Sequence, residues 1–220
     1  MLKKKIIILG AGGNANVIKS TIADVNQVSN QYEILGYLDD QVSPNNNSQI
    51  KGKITKTNVE KFKKHRDVFF LWSLSTIKLG DNILKKHKIL NIEKKKFLTI
   101  THPTAVVSKY AKIGLGVTIH PFVNVGPDVI IMNNVHIFSQ SLIGHNTFLD
   151  NFSYVASNST IGASVKVNEG GYLGMNSTIR ERVTIGKWSI VGMGSVVIKD
   201  TQNYSVVAGN PASYLKKRFN

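Results

Sequence analysis

Residues 113–161 read IGLGVTIHPFVNVGPDVIIMNNVHIFSQSLIGHNTFLDNFSYVASNSTI. Every sixth position in this stretch is aliphatic: Ile113, Ile119, Val125, Ile131, Ile137, Ile143, Leu149, Val155 and Ile161. Followed outward, the series starts at Val107 and continues through Val167, Leu173, Ile179, Ile185 and Val191 to Val197, sixteen positions without a break in phase. With about a quarter of residues Ile, Leu or Val, chance would give such a run at roughly 0.25 to the sixteenth power. Two residues before each aliphatic position stands a small or β-branched residue, such as Val117, Val129, Ser141, Thr147, Ser153 or Ser159. Just after the aliphatic column come Gly114, Gly126, Gly144, Gly162, Gly174, Gly186 and Gly192, as suits a corner where one backbone must turn against another.

A period of six describes a coil of short strands and turns. One aliphatic side chain per hexad points inward and stacks on its equivalents in neighbouring coils, while the other positions face out. Hexapeptide repeats of this kind belong to parallel β-helices. A β-sandwich is the competing reading, but its turn signals come every 8–12 residues without a fixed phase. Residues 101–220 are therefore expected to form a parallel β-helix with a short C-terminal tail.

Residues 1–100 are patterned differently. An aliphatic run, Ile6 to Leu9, leads into Gly10-Ala11-Gly12-Gly13-Asn14-Ala15 and then a helical stretch from about Val17. This strand, Gly-rich turn and helix place backbone N–H groups where they can face a phosphate. A second strand, Ile34 to Leu38, ends in Asp39-Asp40, and a carboxylate after strand two commonly meets the nucleoside part of a ligand. Val68 to Trp72 reads as a third strand, Asp81 to Lys88 as a helix, and Asn45 to Ser48 as a loop. The spacing predicts a small Rossmann-like α/β domain. A nicotinamide-linked oxidoreductase is disfavoured: the unit is about half of the two-part dinucleotide fold and leads straight into the repeat.

Composition removes several other classes. The apolar runs are too short to span a bilayer, and the first one stops at a Gly-rich turn, unlike a signal peptide; a cytoplasmic protein without a transmembrane segment is expected. The absence of cysteine excludes disulfides, thiolate catalysis and Cys-based metal sites. No metal is expected. The formal net charge of +15 is spread over both halves, with 18 Lys+Arg against 8 Asp+Glu in residues 1–100 and 10 against 5 in the rest. No nucleic-acid-binding motif accompanies it, so nucleic acid is not an expected partner. The charge suits a lysine-rich surface, a field that draws in polyanionic substrates, or an anionic membrane surface.

The Ile-Gly-x-x-x-x steps from Ile113 to Val197 resemble the hexapeptide-repeat acyltransferases. That resemblance implies a left-handed β-helix with three hexads per coil, residues 18 apart stacked, and a homotrimer with its active site between neighbouring helices. Val206-Val207-Ala208-Gly209-Asn210-Pro211-Ala212 resembles the family's closing motif before a short terminal helix. Together with the α/β domain, the opening Thr101-His102-Pro103-Thr104-Ala105-Val106-Val107-Ser108 and the strand end Gly36-Tyr37-Leu38-Asp39-Asp40, the chain is similar to bacterial sugar acetyltransferases of the sialic-acid and bacillosamine type. The resemblance implies acetyl-CoA as co-substrate, a nucleotide-linked amino sugar as acceptor, Asp39 or Asp40 near the base, and Gly12, Gly13 and Asn14 near the phosphates.

Acetyl transfer from a thioester requires a nucleophile that loses its proton, a stabilised oxyanion, and exclusion of water. Without cysteine, direct attack by the sugar is the simpler route, and a base titrating near neutrality points to histidine. Of six histidines, His65 and His87 are expected at the surface, His102 at the domain junction, and His120 and His136 at polar turn positions. His145 follows Ile143-Gly144, the turn in which the resemblance places the base. One coil on, Gly162 and Ala163 offer a backbone N–H to the oxyanion. Gly174, Gly192 and Gly209 would let a pantetheine arm lie close, and Lys216 to Arg218 could meet CoA phosphates. Two positions depart from the family: Asn146 stands where an acidic residue commonly follows the base, and Asn14 where a histidine commonly follows the paired glycines. The expected activity is N-acetylation of a nucleotide-linked amino sugar. Sugar O-acetylation of a sialic-acid-like acceptor and a non-catalytic scaffold are the alternatives.

Overall fold

A computed structural model of the protein describes residues 3–41, 49–74 and 76–219. The loop expected at Asn45 to Ser48 lies outside the described residues.

The α/β domain is built on three parallel strands in the order β2-β1-β3, with β1 at Lys4–Leu9, β2 at Tyr32–Leu38 and β3 at Val68–Trp72. Ile6, Ile7, Ile8 and Leu9 are fully buried, because a central parallel strand is covered on both faces and needs a continuous aliphatic run. After β1 the chain turns at Gly10, whose φ of +106° and whose missing Cβ, 2.6 Å from where Ser73 Oγ lies, both demand glycine. Helix α1 (Gly13–Ser29) follows and stops at Asn30 in the left-handed region. Helices α2 (Lys56–Lys63), α3 (Thr76–Leu79) and α4 (Asn82–Leu90) complete the domain. Thr55 caps α2 by accepting the Asn58 N–H at 3.3 Å.

The second half is a parallel β-helix of seventeen two-residue strands, from Ile100–Thr101 to Val196–Val197. The strands form three faces. The first carries residues 118–119, 136–137, 154–155, 172–173 and 190–191, the second 124–125, 142–143, 160–161, 178–179 and 196–197, and the third 130–131, 148–149, 166–167 and 184–185. Pairing is between residues eighteen apart, as in Ile137 with Val155 and Ile143 with Ile161. The aliphatic column fills the core together with Val117, Val123, Val129, Val135, Val165 and Val183 of the preceding column. The buried hydroxyls of that column are satisfied by corner carbonyls: Ser159 Oγ donates to Ala156 O at 2.8 Å and Thr147 Oγ1 to Gly162 O at 3.0 Å. Every corner from Gly116 to Gly194 passes through a left-handed residue, often asparagine: Asn134, Asn146, Asn158 and Asn176 have φ between 56° and 60°.

The chain end departs from expectation. In place of a short helix, Ser205–Gly209 joins the first face and Ala212–Lys217 folds back antiparallel on it. The last coil presents an open strand edge, and a returning strand satisfies its backbone groups in a way a helix could not. The basic tail is thereby committed. Arg218 is half-buried and donates to Trp188 O at 2.6 Å and to Thr76 O, while Phe219 packs on Gly80, so this arginine ties the last coil to α3 and is not available to CoA phosphates.

The α/β domain lies along the first face. Thr21 of α1 reaches His120, and Tyr154 reaches Asn14. On the other side Trp72 and Phe97 share an apolar cluster with Phe152 and Trp188 from the corner between the third and first faces.

Candidate active site

A cavity of about 340 Å³ opens at the C-terminal ends of the three parallel strands, between the Gly10–Asn14 turn, Asp39 and Asp40, Ser73, and Lys86 of α4. Open parallel sheets place ligands at this end because the strand-to-helix turns leave backbone donors there. The five substrate residues expected from sequence, Gly12, Gly13, Asn14, Asp39 and Asp40, all line it. Gly12 and Gly13 have nothing within 4 Å of the place a Cβ would occupy, and neither has a positive φ. Neither packing nor backbone conformation within the chain requires glycine at these two positions. Helix α1 begins at this point with no side-chain cap and no acidic residue in its first turn, so its positive end faces the opening.

The two aspartates have internal partners. Asp39 is buried and accepts the Ala11 N–H at 2.6 Å and the Gln41 N–H at 2.7 Å, which fixes the Gly-rich turn against the end of β2. Asp40 accepts the Ile54 N–H at 2.9 Å and pairs with Lys86. Asn14 donates to Ser73 O at 3.3 Å and accepts from the Tyr154 hydroxyl at 3.2 Å, so it joins the cavity to the β-helix. Tyr154 is stacked between Phe138 and Tyr172, each 4.8 Å away, and burial pushes its hydroxyl well above the ordinary tyrosine range; it stays a donor. Lys86 and Tyr154 were missed from sequence. The available signal was the pair Tyr154 and Tyr172, aromatic residues eighteen apart on an outward-facing column.

His145 lies at the corner between the second and third faces and is exposed. Its Nδ1 is 2.7 Å from Asn146 Oδ1. An amide oxygen only accepts, so Nδ1 carries the proton and the lone pair sits on Nε2. Asn146 is held at φ 59° with its N–H on Pro127 O at 3.0 Å. A Cβ on Gly144 would stand 2.6 Å from Gly162 C and 2.7 Å from Ala163 N, so the next coil runs directly against the histidine turn. The Gly162 N–H is bonded to Ile179 O and the Ser164 N–H to His145 O, but the Ala163 N–H between them has no acceptor among the described residues. His145, Asn146, Gly162 and Ala163 are thus brought together.

Gly174, Gly192 and Gly209 are not brought to them. Gly174 and Gly192 stack on the corner between the first and second faces, where Ala208 lies against Gly192 and Gly209 is the next residue along the chain; the width of the second face separates this corner from His145.

Three other histidines differ from expectation. His120 and His136 are almost fully buried between α1 and the first face, where Thr21 Oγ1 meets His120 Nδ1 at 2.7 Å and Thr118 Oγ1 meets His136 Nδ1 at 2.6 Å. Burial pushes His120 down to about 3, with His136 and His102 adding to the effect, and burial alone pushes His136 down to about 4. Outward-facing positions of a coil become interior where another domain covers them. His87 is half-buried, stacked on Phe97 at 5.3 Å. His102 is fixed by Thr104 at 2.9 Å and Asp24 at 3.2 Å.

Residues 97–207 match the family model of the GMPPB C-terminal domain, and residues 5–90 match that of the PglD N-terminal domain. No curated protein matches the chain in sequence. Among solved structures, the acetyltransferase domain of PglB from Neisseria gonorrhoeae FA1090 superposes with a TM-score of 0.82 at 23% identity over 97% of this chain and 100% of that one. That domain has also been solved in complex with acetyl coenzyme A. PerB from Caulobacter crescentus, in complex with CoA and GDP-perosamine, gives 0.81 at 21% identity over 96% and 97%. WeeI from Acinetobacter baumannii AYE gives 0.75 at 20% identity over 96% and 99%. These likenesses span both domains and show the fold.

Proposed function

The chain belongs, through residues 97–207, to the family of the GMPPB C-terminal domain, and from its two sites and the ligands of the similar structures we propose that it transfers an acetyl group from acetyl-CoA to the amine of a nucleotide-linked amino sugar. The observation that carries this reading is the open space beside Gly12 and Gly13 at the uncapped start of α1, a place for phosphates in a chain whose coil also presents His145 over Ala163. Two of the similar structures hold acetyl coenzyme A, or CoA with GDP-perosamine, which supports the same pairing of ligands.

In the reaction the sugar nitrogen attacks the thioester carbonyl carbon. His145 Nε2 takes the proton that the nitrogen loses, and the Ala163 N–H stabilises the oxyanion. Collapse breaks the carbon–sulfur bond, and the thiolate of CoA recovers the proton from His145. Asn146 holds the tautomer by hydrogen bonding but supplies no negative charge to an imidazolium. An ammonium is far more acidic than a hydroxyl and needs less from its base during attack, so this arrangement favours the amine acceptor.

The site is completed by a second copy of the chain. The second face presents Val106 and Leu142 exposed and carries Thr160, Thr178 and Val196 outward, while the α/β domain occupies the first face. A trimer packed about the second face would set the His145 corner of one chain beside the Gly174–Gly192 corner of the next. The heights agree: Asn14 meets Tyr154, which begins the strand nine residues beyond His145. CoA would then lie between chains, and the amino sugar would extend from the cavity into the same groove.

The test is CoA release from acetyl-CoA with a panel of nucleotide-linked amino sugars and free sialic-acid-type sugars. Turnover with an amino sugar supports the reading, turnover with hydroxyl acceptors alone moves it to O-acetylation, and no turnover with any acceptor favours a scaffold. Gly13→Ala adds a sharper result. A Cβ there meets no atom of the chain, so the melting temperature is expected to stay unchanged. The KM for the nucleotide sugar should rise at least about tenfold, the equivalent of ~1.4 kcal/mol for one displaced backbone–phosphate contact. A lowered melting temperature with unaltered KM would assign the glycine to folding.

A further inference from the structure

We propose that the end of the α/β domain opposite the ligand cavity docks the protein on an anionic lipid surface. At the N-terminal ends of β1 and β3 an open groove of about 690 Å³ runs between the end of α2 and the turn Lys94–Lys96, with Lys63, Lys64, Arg66 and Lys95 along it. Of the carboxylates nearby, Glu33 lies beside Lys5 on the adjoining strand and the other three are already paired. Glu60 pairs with Lys63 at 2.8 Å, Glu93 with Lys95 at 2.8 Å, and Asp67 with Lys5 at 2.9 Å. Lys96 is buried, with its ammonium on His65 O at 2.6 Å. Lys64, Arg66 and Lys94 are exposed and form no ion pair among the described residues. This end of the domain accordingly carries part of the excess of 18 Lys+Arg over 8 Asp+Glu in residues 1–100 without local compensation.

The chemistry favours lipid headgroups over nucleic acid. Binding of single strands relies on exposed rings on which bases stack. The groove's ring, Phe69, is half-buried and already has the Lys4 ammonium 5.7 Å and the Lys96 ammonium 5.8 Å from its centroid. What remains is mostly lysine, compact charges on flexible stems that suit a diffuse layer of phosphates. Clusters of about four to eight basic residues hold proteins at anionic leaflets, and the attraction fades within a Debye length. The placement is also compatible with turnover: the cavity opens at the other end of the same strands, so a docked molecule keeps it facing solution.

The experiment is co-sedimentation with vesicles of phosphatidylcholine containing about one-third phosphatidylglycerol, against pure phosphatidylcholine, at low ionic strength and at about 0.5 M salt. The full chain is compared with the variant Lys64→Glu, Arg66→Glu, which alters only exposed side chains outside the ion pairs. Binding is expected on the anionic vesicles alone, abolished by salt and weakened at least about tenfold by the variant, whose melting temperature and CoA release in solution stay unchanged. The proposal is overturned by equal binding to neutral vesicles, by no binding, or by a variant that sediments like wild type. Tighter binding to a short RNA than to the vesicles would assign the patch to nucleic acid instead.

Discussion

His145→Ala is expected to lower kcat for acetyl transfer by about two to four orders of magnitude, the range of general-base catalysis, while the KM for acetyl-CoA changes little. The melting temperature should not move, because the side chain is exposed and its single side-chain partner, Asn146, is also at the surface. Full activity in this variant would remove His145 from the chemistry. Asn146→Asp provides an independent readout. A carboxylate in place of an amide oxygen 2.7 Å from Nδ1 favours the charged imidazole, so the acid limb of the pH–rate profile should move upward by about one unit. An unmoved profile would show that Asn146 does not act through the imidazole. The placement of the two half-sites gives a further expectation. If the cavity of one chain is served by the His145 of another, mixed oligomers of His145→Ala and a cavity-blocked Gly13 variant should regain activity that neither has alone. Absence of any recovery would place both half-sites in one chain.

The coil was legible in detail because its rule is local and repeated. An inward aliphatic residue every sixth position, a small residue two before it and a glycine after it leave no other way to bury the chain, and each aliphatic position from Val107 to Val197 closes a two-residue strand. The α/β strands were legible for a similar reason: Ile6 to Leu9 can only be a strand covered on both faces. What the repeat does not encode is which of its outward positions stays outward. His120, His136, Tyr154 and Trp188 occupy positions that are solvent-facing by periodicity, and each is interior because a domain far away in sequence lies on the first face. The same non-local cause explains the tail, where Lys216, Lys217 and Arg218 read as a basic extension but belong to or follow a strand that closes a sheet edge. Within the site, the residues on one local turn were found together. The eighteen-residue stacking already puts Gly162–Ala163 in register with Gly144–His145 and sets Gly174 and Gly192 twelve residues out of phase with them, on another corner, as the three faces show.

The buried histidines lead to the second large effect, a steep loss of stability in mild acid. His136 and His120 are held neutral, with values of about 4 and 3 against an ordinary 6.5. Between those limits the unfolded chain binds protons that the folded chain refuses, so the unfolded state gains as the pH falls. Stability contributed by the neutral pair is complete above about pH 6.5 and declines by about 1.4 kcal/mol per unit for each histidine below it, until the folded values are reached. By about pH 4.5 the two together account for about 5 kcal/mol, comparable to the whole stability of a marginal domain. Urea midpoints measured at pH 7.5, 6.0 and 4.5 are expected to fall steeply across this range. The double variant His120→Asn, His136→Asn should start lower at pH 7.5, because Thr21 and Thr118 lose well-placed partners, and then decline much less. Parallel slopes in the two proteins would assign the acid sensitivity to groups other than these histidines. The first structure to yield should be the seam, since both imidazoles lie between α1 and the first face and the coil core itself contains no titratable side chain. Acid should therefore break the contact between Asn14 and Tyr154, separating the acceptor cavity from the coil, while the stacked strands beneath remain intact. Loss of tyrosine protection preceding loss of the β signal on a pH titration would show that order, and simultaneous loss would show one cooperative unit.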